Sequence, residues 1–232
     1  MRKAYFIIAV LALSVTALPA LGDMQLRLYD GYGTNFGGEF DVDDVGSTPI
    51  PFVTSVFQAP HDFITFCIEG NEYVDYDTTY DVVLNTVAIR GGVGGGTPDP
   101  LDAKTAYLFS QFTDGTLSGY DYADSGIGRD ASANELQEVI YYLEQESATL
   151  NGQALTWYNE AATAVAAGGS WFAQWGADSI GNVRVMNLYA VGYAGNSTFH
   201  RQDLLVRIPA PGAVVLGALG LGLVGWINRR RS

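Results

Sequence analysis

The chain has one cysteine, Cys67, and two histidines, His61 and His200, among 232 residues. A single cysteine excludes an internal disulfide, a Cys-x-x-Cys redox pair and a thiolate-rich zinc site. Two scattered histidines exclude a histidine-based zinc centre, and each reads as a surface or capped histidine. Basic residues are also few. Five of the 12 Lys and Arg lie at the two ends, and all 25 Asp and Glu lie between Asp23 and Ile208, so that segment carries a net charge near −18. Such a surface repels nucleic acid and anionic lipid, and no nucleic-acid partner is expected. Three motifs are missing as well. Gly91–Gly96 is followed by no Gly-Lys-Ser/Thr, Thr97 stands where a dinucleotide fingerprint needs a third glycine, and there is no G-x-S-x-G elbow. Asp41, Asp43, Asp44, Asp75 and Asp77 lack the EF-hand pattern and read as solvated acidic loops. No metal, cofactor or catalytic residue is expected.

What the chain does have is glycine, tyrosine and two address-like ends. Glycine and tyrosine number 28 and 14 with only 16% charged residues, which suits an extracellular β-rich domain with many turns. Residues 1–22 read as a secretory signal: Arg2 and Lys3, an apolar run from Phe6 to Leu13, and Ala20-Leu21-Gly22 as an A-x-A-like site, with cleavage between Gly22 and Asp23. At the other end, residues 209–232 form a tail. Pro209-Ala210-Pro211 precedes 16 uncharged residues, Gly212 to Ile227, and then Arg229, Arg230 and Arg231. As a helix this run would be roughly 24 Å long, enough for a transient stay in a membrane with its arginines cytoplasmic. Residues 23–208 remain as one domain with length enough for a substantial core.

Within that domain, alternation predicts strands over 24–29, 40–45, 63–68, 79–84, 183–188 and 204–208. In the third of these, Phe63, Thr65 and Cys67 share one face and Ile64, Phe66 and Ile68 the other. Helical spacing predicts a helix from about Pro100 to Phe112 and another from about Leu155 to Ala167. Ser132-Ala133-Asn134-Glu135 has the form of a capping box, so a helix is expected from there to about Glu146, with Leu136, Ile140 and Leu143 inward. Gln137 then lies near its N-terminus. Gly91 to Pro100 reads as a mobile rim loop. The fold class is α+β: a β-sandwich or barrel with a small helical part that holds Gln137.

A lone cysteine in an exported chain is a buried spectator, an intermolecular disulfide or a reactive group. Cys67 falls on a predicted strand among aromatic and aliphatic residues, and Gln137 on a predicted helix among Leu136, Ile140, Tyr141 and Tyr142. On the residue pattern alone, Cys67 is a small buried hydrophobe and Gln137 an ordinary polar helix residue.

Two resemblances extend this reading. Phe66-Cys67-Ile68-Glu69 resembles the cysteine motif of the bacterial thioester domain family, found at the tips of surface adhesins. Gln137-Glu138-Val139-Ile140-Tyr141 resembles that family's glutamine motif, with Val139 and Tyr141 in its small-residue and Trp positions. The likeness covers roughly Phe63 to Glu146. It implies Cys67 and Gln137 as an internal thioester that acylates amines or hydroxyls on a host, a neighbouring cell or a matrix polymer. The event is single-use, so the protein would be a reactive adhesin rather than an enzyme. The tail is similar to a PEP-CTERM sorting signal, with Ala210 in place of the usual Glu. It implies an exosortase-type processing partner, transient inner-membrane anchoring and a place at the cell surface or in a biofilm matrix. The alternative is a non-covalent structural or glycan-binding matrix protein with Cys67 buried and free. Exposed tyrosines such as Tyr120 and Tyr122 would then stack on sugars.

Overall fold

The computed structural model describes residues 23–34, 38–55, 60–123, 127–147 and 149–210. The signal segment, including Gly22, and the tail from Pro211 onward, including Arg229, Arg230 and Arg231, lie outside the described residues. Asp23, Pro209 and Ala210 are described and exposed.

Six strands form one antiparallel sheet: β1 (Gln25–Asp30), β2 (Phe40–Asp44), β3 (Phe63–Thr65), β4 (Thr78–Asn85), β7 (Val183–Ala190) and β8 (His200–Arg207). Their spatial order is β3-β2-β1-β4-β7-β8. Two short strands, β5 (Val87–Ala88) and β6 (Asp99–Pro100), pair as a separate ribbon. The alternation that predicted β1 is visible in its burial: Leu26 and Leu28 are buried while Arg27 between them is exposed. The sheet curls into a half-barrel, because the chain beyond β3 meets β8 from the far end of the strand order. Cys67 forms an antiparallel bridge with Leu204. The Leu205 N–H donates to the Phe66 carbonyl at 3.1 Å, and the Ile68 N–H to the Asp203 carbonyl at 3.1 Å. A curled single sheet replaces the two stacked sheets that a sandwich would need.

The helices are α1 (Ala103–Thr113), α2 (Ile127–Leu143), α3 (Gly152–Val165) and α4 (Ser170–Trp175). The core has two parts, as the alternation along residues 63–68 predicts. Ile64, Phe66 and Ile68 pack with Leu108, Phe112, Leu136, Ile140 and Trp157 of the helices. Phe63 and Cys67 pack instead with Leu26, Val42, Met186, Leu188 and Leu204 of the sheet.

One helix boundary corrects the sequence reading. α2 begins at Ile127, before the apparent capping box, so Gln137 lies well inside the helix and not near its start. Ser132 is buried, and its hydroxyl accepts the Asp121 N–H at 3.1 Å instead of capping. Tertiary contacts account for the extra turns. Arg129, in the added segment, forms a buried bidentate pair with Glu39, Nη2 to Oε2 at 2.7 Å and Nε to Oε1 at 2.9 Å. Asp130 accepts the Gly33 N–H at 3.0 Å. Such contacts outweigh local capping preference.

Candidate functional site around Cys67 and Gln137

Cys67 sits just past β3, buried, with a free thiol. Gln137 projects from α2 and is 3% exposed. The two residues are 70 positions apart in sequence and in direct contact in the fold. The Cys67 N–H donates to Gln137 Oε1 at 3.1 Å. Gln137 Nε2 donates to the Cys67 carbonyl at 2.8 Å. Both polar ends of the carboxamide are thus held by the main chain of residue 67. One turn further along α2, Tyr141 lies on the same helix face, as an i, i+4 neighbour must. It shares the wall of one cleft with Cys67, and both it and Gln202 of β8, whose amide donates to the Glu69 carbonyl at 2.6 Å, act on the sulfur so as to favour its charged form. The sequence placed Tyr141 only as a departure from a Trp position; nothing in the local pattern pointed to Gln202.

The electrostatics of the sulfur follow from burial. Burial pushes the Cys67 thiol well up, against the smaller lowering effect of Tyr141 and Gln202. Burial, then the neighbouring sulfur, raises Tyr141 as well. Both groups keep their protons at neutral pH. A thiolate nucleophile of the cysteine-hydrolase type needs the opposite setting, an electropositive and partly exposed one.

A cleft of about 190 Å3 reaches the site from outside. Cys67, Glu72, Tyr73, Val74, Tyr76 and Tyr141 are among its walls. Tyr73 and Tyr76 stand at 76% and 49% exposure, so the mouth is aromatic while the sulfur is covered.

Acidic groups surround the same segment. Glu69 is 1% exposed, and burial, then repulsion from Glu146 and Asp203, pushes its pKa up to about 9. It is a neutral carboxylic acid at pH 7. Glu146 accepts N–H bonds from Gly70 at 2.8 Å, Val93 at 2.7 Å and Gly94 at 3.0 Å. The glycine-rich loop is therefore anchored by a carboxylate, not left as a mobile rim. Gly92 is required there: a Cβ at this φ +31° position would fall 2.0 Å from Glu69 Oε2 and 2.2 Å from Glu146 Oε2.

His200 is not a surface histidine. It is 3% exposed, with Nε2 at 2.8 Å from Asp203 Oδ1 and Nδ1 at 3.3 Å from Glu72 Oε1. Burial opposes its charge, but the hydrogen bonds to Asp203 and Glu72 outweigh that and push its pKa up to about 9. Residues 200 and 203 would face opposite sides of a regular strand. An irregularity in the β7–β8 register, between Asn187 and Tyr189, turns both to one side. Glu72, His200 and Asp203 are metal-ligand types whose donor atoms lie within 4.8 Å of one another. Each ring nitrogen already faces a carboxylate, so the imidazolium fills the place a cation would take. His61 is half-buried beside Asp43 at 2.9 Å.

The other sequence-predicted groups fall elsewhere. Asp41 is buried, not solvated, and burial raises its pKa to about 6. Asp43 accepts from Tyr29 at 3.0 Å and Asp44 from the Ile50 N–H at 2.9 Å, so both brace the fold. Tyr120 is buried, bonded through its hydroxyl to Glu39, and Tyr122 packs against Phe112 and Tyr120. Neither is the exposed sugar-stacking platform that its glycine neighbours suggested.

No protein-family model, curated protein or solved structure matches this chain. Among the described residues, no helix is long and apolar enough to cross a membrane.

Proposed function

We propose that this is an exported surface or matrix protein whose Cys67 and Gln137 condense into an internal thioester. The observation that carries this is the double hydrogen bond between the Gln137 carboxamide and the main chain of Cys67, with Tyr141 beside the sulfur. In the condensation, sulfur bonds to the carboxamide carbon, the C–N bond breaks, and ammonia leaves carrying the thiol proton. Burial on all sides but the cleft slows hydrolysis of the product. A nucleophile entering the cleft would take the Gln137 acyl group and release the Cys67 thiol. The reaction happens once per molecule, so the protein is an acylating adhesin and not an enzyme. The terminal segments fit this use: a signal for export, and a tail for an exosortase-type enzyme that delivers the domain to the cell surface or biofilm matrix.

The same hydrogen bonds also fit a non-covalent matrix protein in which Gln137 only ties α2 to the sheet. Intact mass separates the two readings. A thioester lowers the mass by one ammonia, about 17 Da, and methylamine restores it with the amine added. Gln137→Ala and Cys67→Ala each abolish the deficit. A full-mass wild-type chain with a thiol that titrates on unfolding sinks the covalent reading.

A further inference from the structure

The cleft beside Cys67 has a chemistry that the thioester does not use. Four aromatic rings wall it, Phe40, Tyr73, Tyr76 and Tyr141, and Glu72 is the one charged residue among the described residues that line it. The rings come from three places: Phe40 opens β2, Tyr73 and Tyr76 belong to the loop between β3 and β4, and Tyr141 projects from α2. Phe40 and Tyr76 stand 6.1 Å apart and tilted by 45°, as two walls of a V. Tyr73 and Tyr76 are exposed, so their ring surface is open to a ligand without any change in the core. The volume of about 190 Å3 falls below the roughly 300–1,000 Å3 of drug-sized pockets and suits one small group. Negative charge lies behind the rings. Glu72 and Asp203 share a single imidazolium, with Glu72 Oε1 at 3.3 Å from His200 Nδ1 and Asp203 Oδ1 at 2.8 Å from Nε2. Arg90 offsets the remaining charge only in part, because it is exposed and stands 3.9 Å from Glu72.

We propose that this cleft is an aromatic cage for a trimethylammonium group, the cationic head of choline and its derivatives. A cation within roughly 6 Å of a ring centroid is attracted by the negative ring face, and the attraction grows as water is excluded. The methyl groups pack on the rings and on Val74, with the Glu72 carboxylate behind them. A primary ammonium fits less well. It carries three N–H donors that leave water on entry, and apart from tyrosine hydroxyls the cleft offers only a carboxylate already bonded to His200. A trimethylammonium has no N–H donor to satisfy. An uncharged group of the same shape would forgo the cation–π attraction, and an anion would meet Glu72. A trimethylammonium nitrogen also has no proton to lose, so it is held and not acylated. The cage does not depend on the thioester.

The test uses the full chain labelled at its tyrosine rings, titrated separately with tetramethylammonium, choline, ethanolamine and 3,3-dimethylbutan-1-ol, the uncharged carbon isostere of choline. The expected result is a saturable shift of the Tyr73 and Tyr76 signals with tetramethylammonium and with choline. Ethanolamine should bind about tenfold more weakly or worse, and the isostere should not saturate. Tyr73→Phe keeps the ring face and should bind within about twofold of wild type, whereas Tyr73→Leu should weaken binding about tenfold. Tyr73 is exposed, so neither variant opens the core, and an unchanged signal from the buried Tyr120 certifies the fold. Flotation with phosphatidylcholine vesicles assigns the head group to a lipid; saturation by free choline without flotation assigns it to a soluble or polymer-borne source. Tetramethylammonium has neither N–H nor O–H, so its binding is read independently of the ammonia mass deficit. No saturable shift with tetramethylammonium or choline, equal affinity for the isostere, equal or tighter binding of ethanolamine, or affinity unchanged in Tyr73→Leu overturns the assignment.

Discussion

At the scale of single residues, the most demanding group is Arg129. Arg129 and Glu39 are each 1% exposed at the side chain, and the Tyr120 hydroxyl donates to the same carboxylate. The guanidinium also lies over the Tyr32 ring at 4.2 Å. A buried pair adds little beyond an apolar replacement, yet removing one partner strands the other charge. Arg129→Ala should therefore cost about 3–5 kcal/mol in denaturant unfolding, far more than a surface arginine. Loss of under about 1 kcal/mol would mean that Glu39 is rehydrated in the variant. Gln137 poses a similar question, since its carboxamide is enclosed and doubly bonded to residue 67. Its loss tests the fold as well as the chemistry. Intact mass is the cleaner readout, because folding alone does not change it.

At the scale of elements, α1 has a side-chain cap that α3 and α4 lack. Asp102 is extended, and its Oδ1 accepts the Lys104 N–H at 2.6 Å. Asp102→Ala should destabilise the chain by about 1 kcal/mol, measured by urea titration, with Asp102→Asn closer to wild type. α1 is also where sequence reading worked best, since Asp102 sits in the expected start and α1 ends one residue beyond the expected Phe112. α2 is where it failed at the boundary. The Ser132–Glu135 pattern was a sound local signal, but Arg129 and Asp130 found partners on the loops beside β1 and β2 and drew the helix back to Ile127. The register irregularity in β7–β8 was equally hidden. It depends on how two strands align, and it alone puts His200 and Asp203 on one side.

At the scale of the whole molecule, the protons dominate. Glu69 and Glu144 are raised from an ordinary 4.5 to about 9 and about 8, chiefly by burial. His200 is raised from 6.5 to about 9. In each case the folded chain keeps a proton that the unfolded chain has released at the same pH. Folding thus takes up protons, and stability falls as pH rises between the unfolded and folded values. The fall is on the order of 1 kcal/mol per pH unit for each such proton. The chain should be markedly more stable at about pH 6 than at about pH 9, read from urea midpoints, and Glu69→Gln should flatten the slope. A midpoint that rises with pH across this range would contradict the burial of these groups.

The amino-acid sequence by itself determined what repeats at short range. Alternation marked the six strands of the main sheet and the two faces of residues 63–68, and 3.6-residue spacing marked α1, α2 and α3. Tertiary structure decided everything that depends on encounter. It curled the sheet so that residues 66–68 meet β8, and it set Gln137 and Tyr141, one helical turn apart, against Cys67. It also buried His200 between two carboxylates and gathered four aromatic rings from β2, α2 and the loop before β4 around one small cleft. The physical reason is that periodicity is a property of neighbours along the chain, whereas a hydrogen bond across 70 residues exists only once both cores have closed around it.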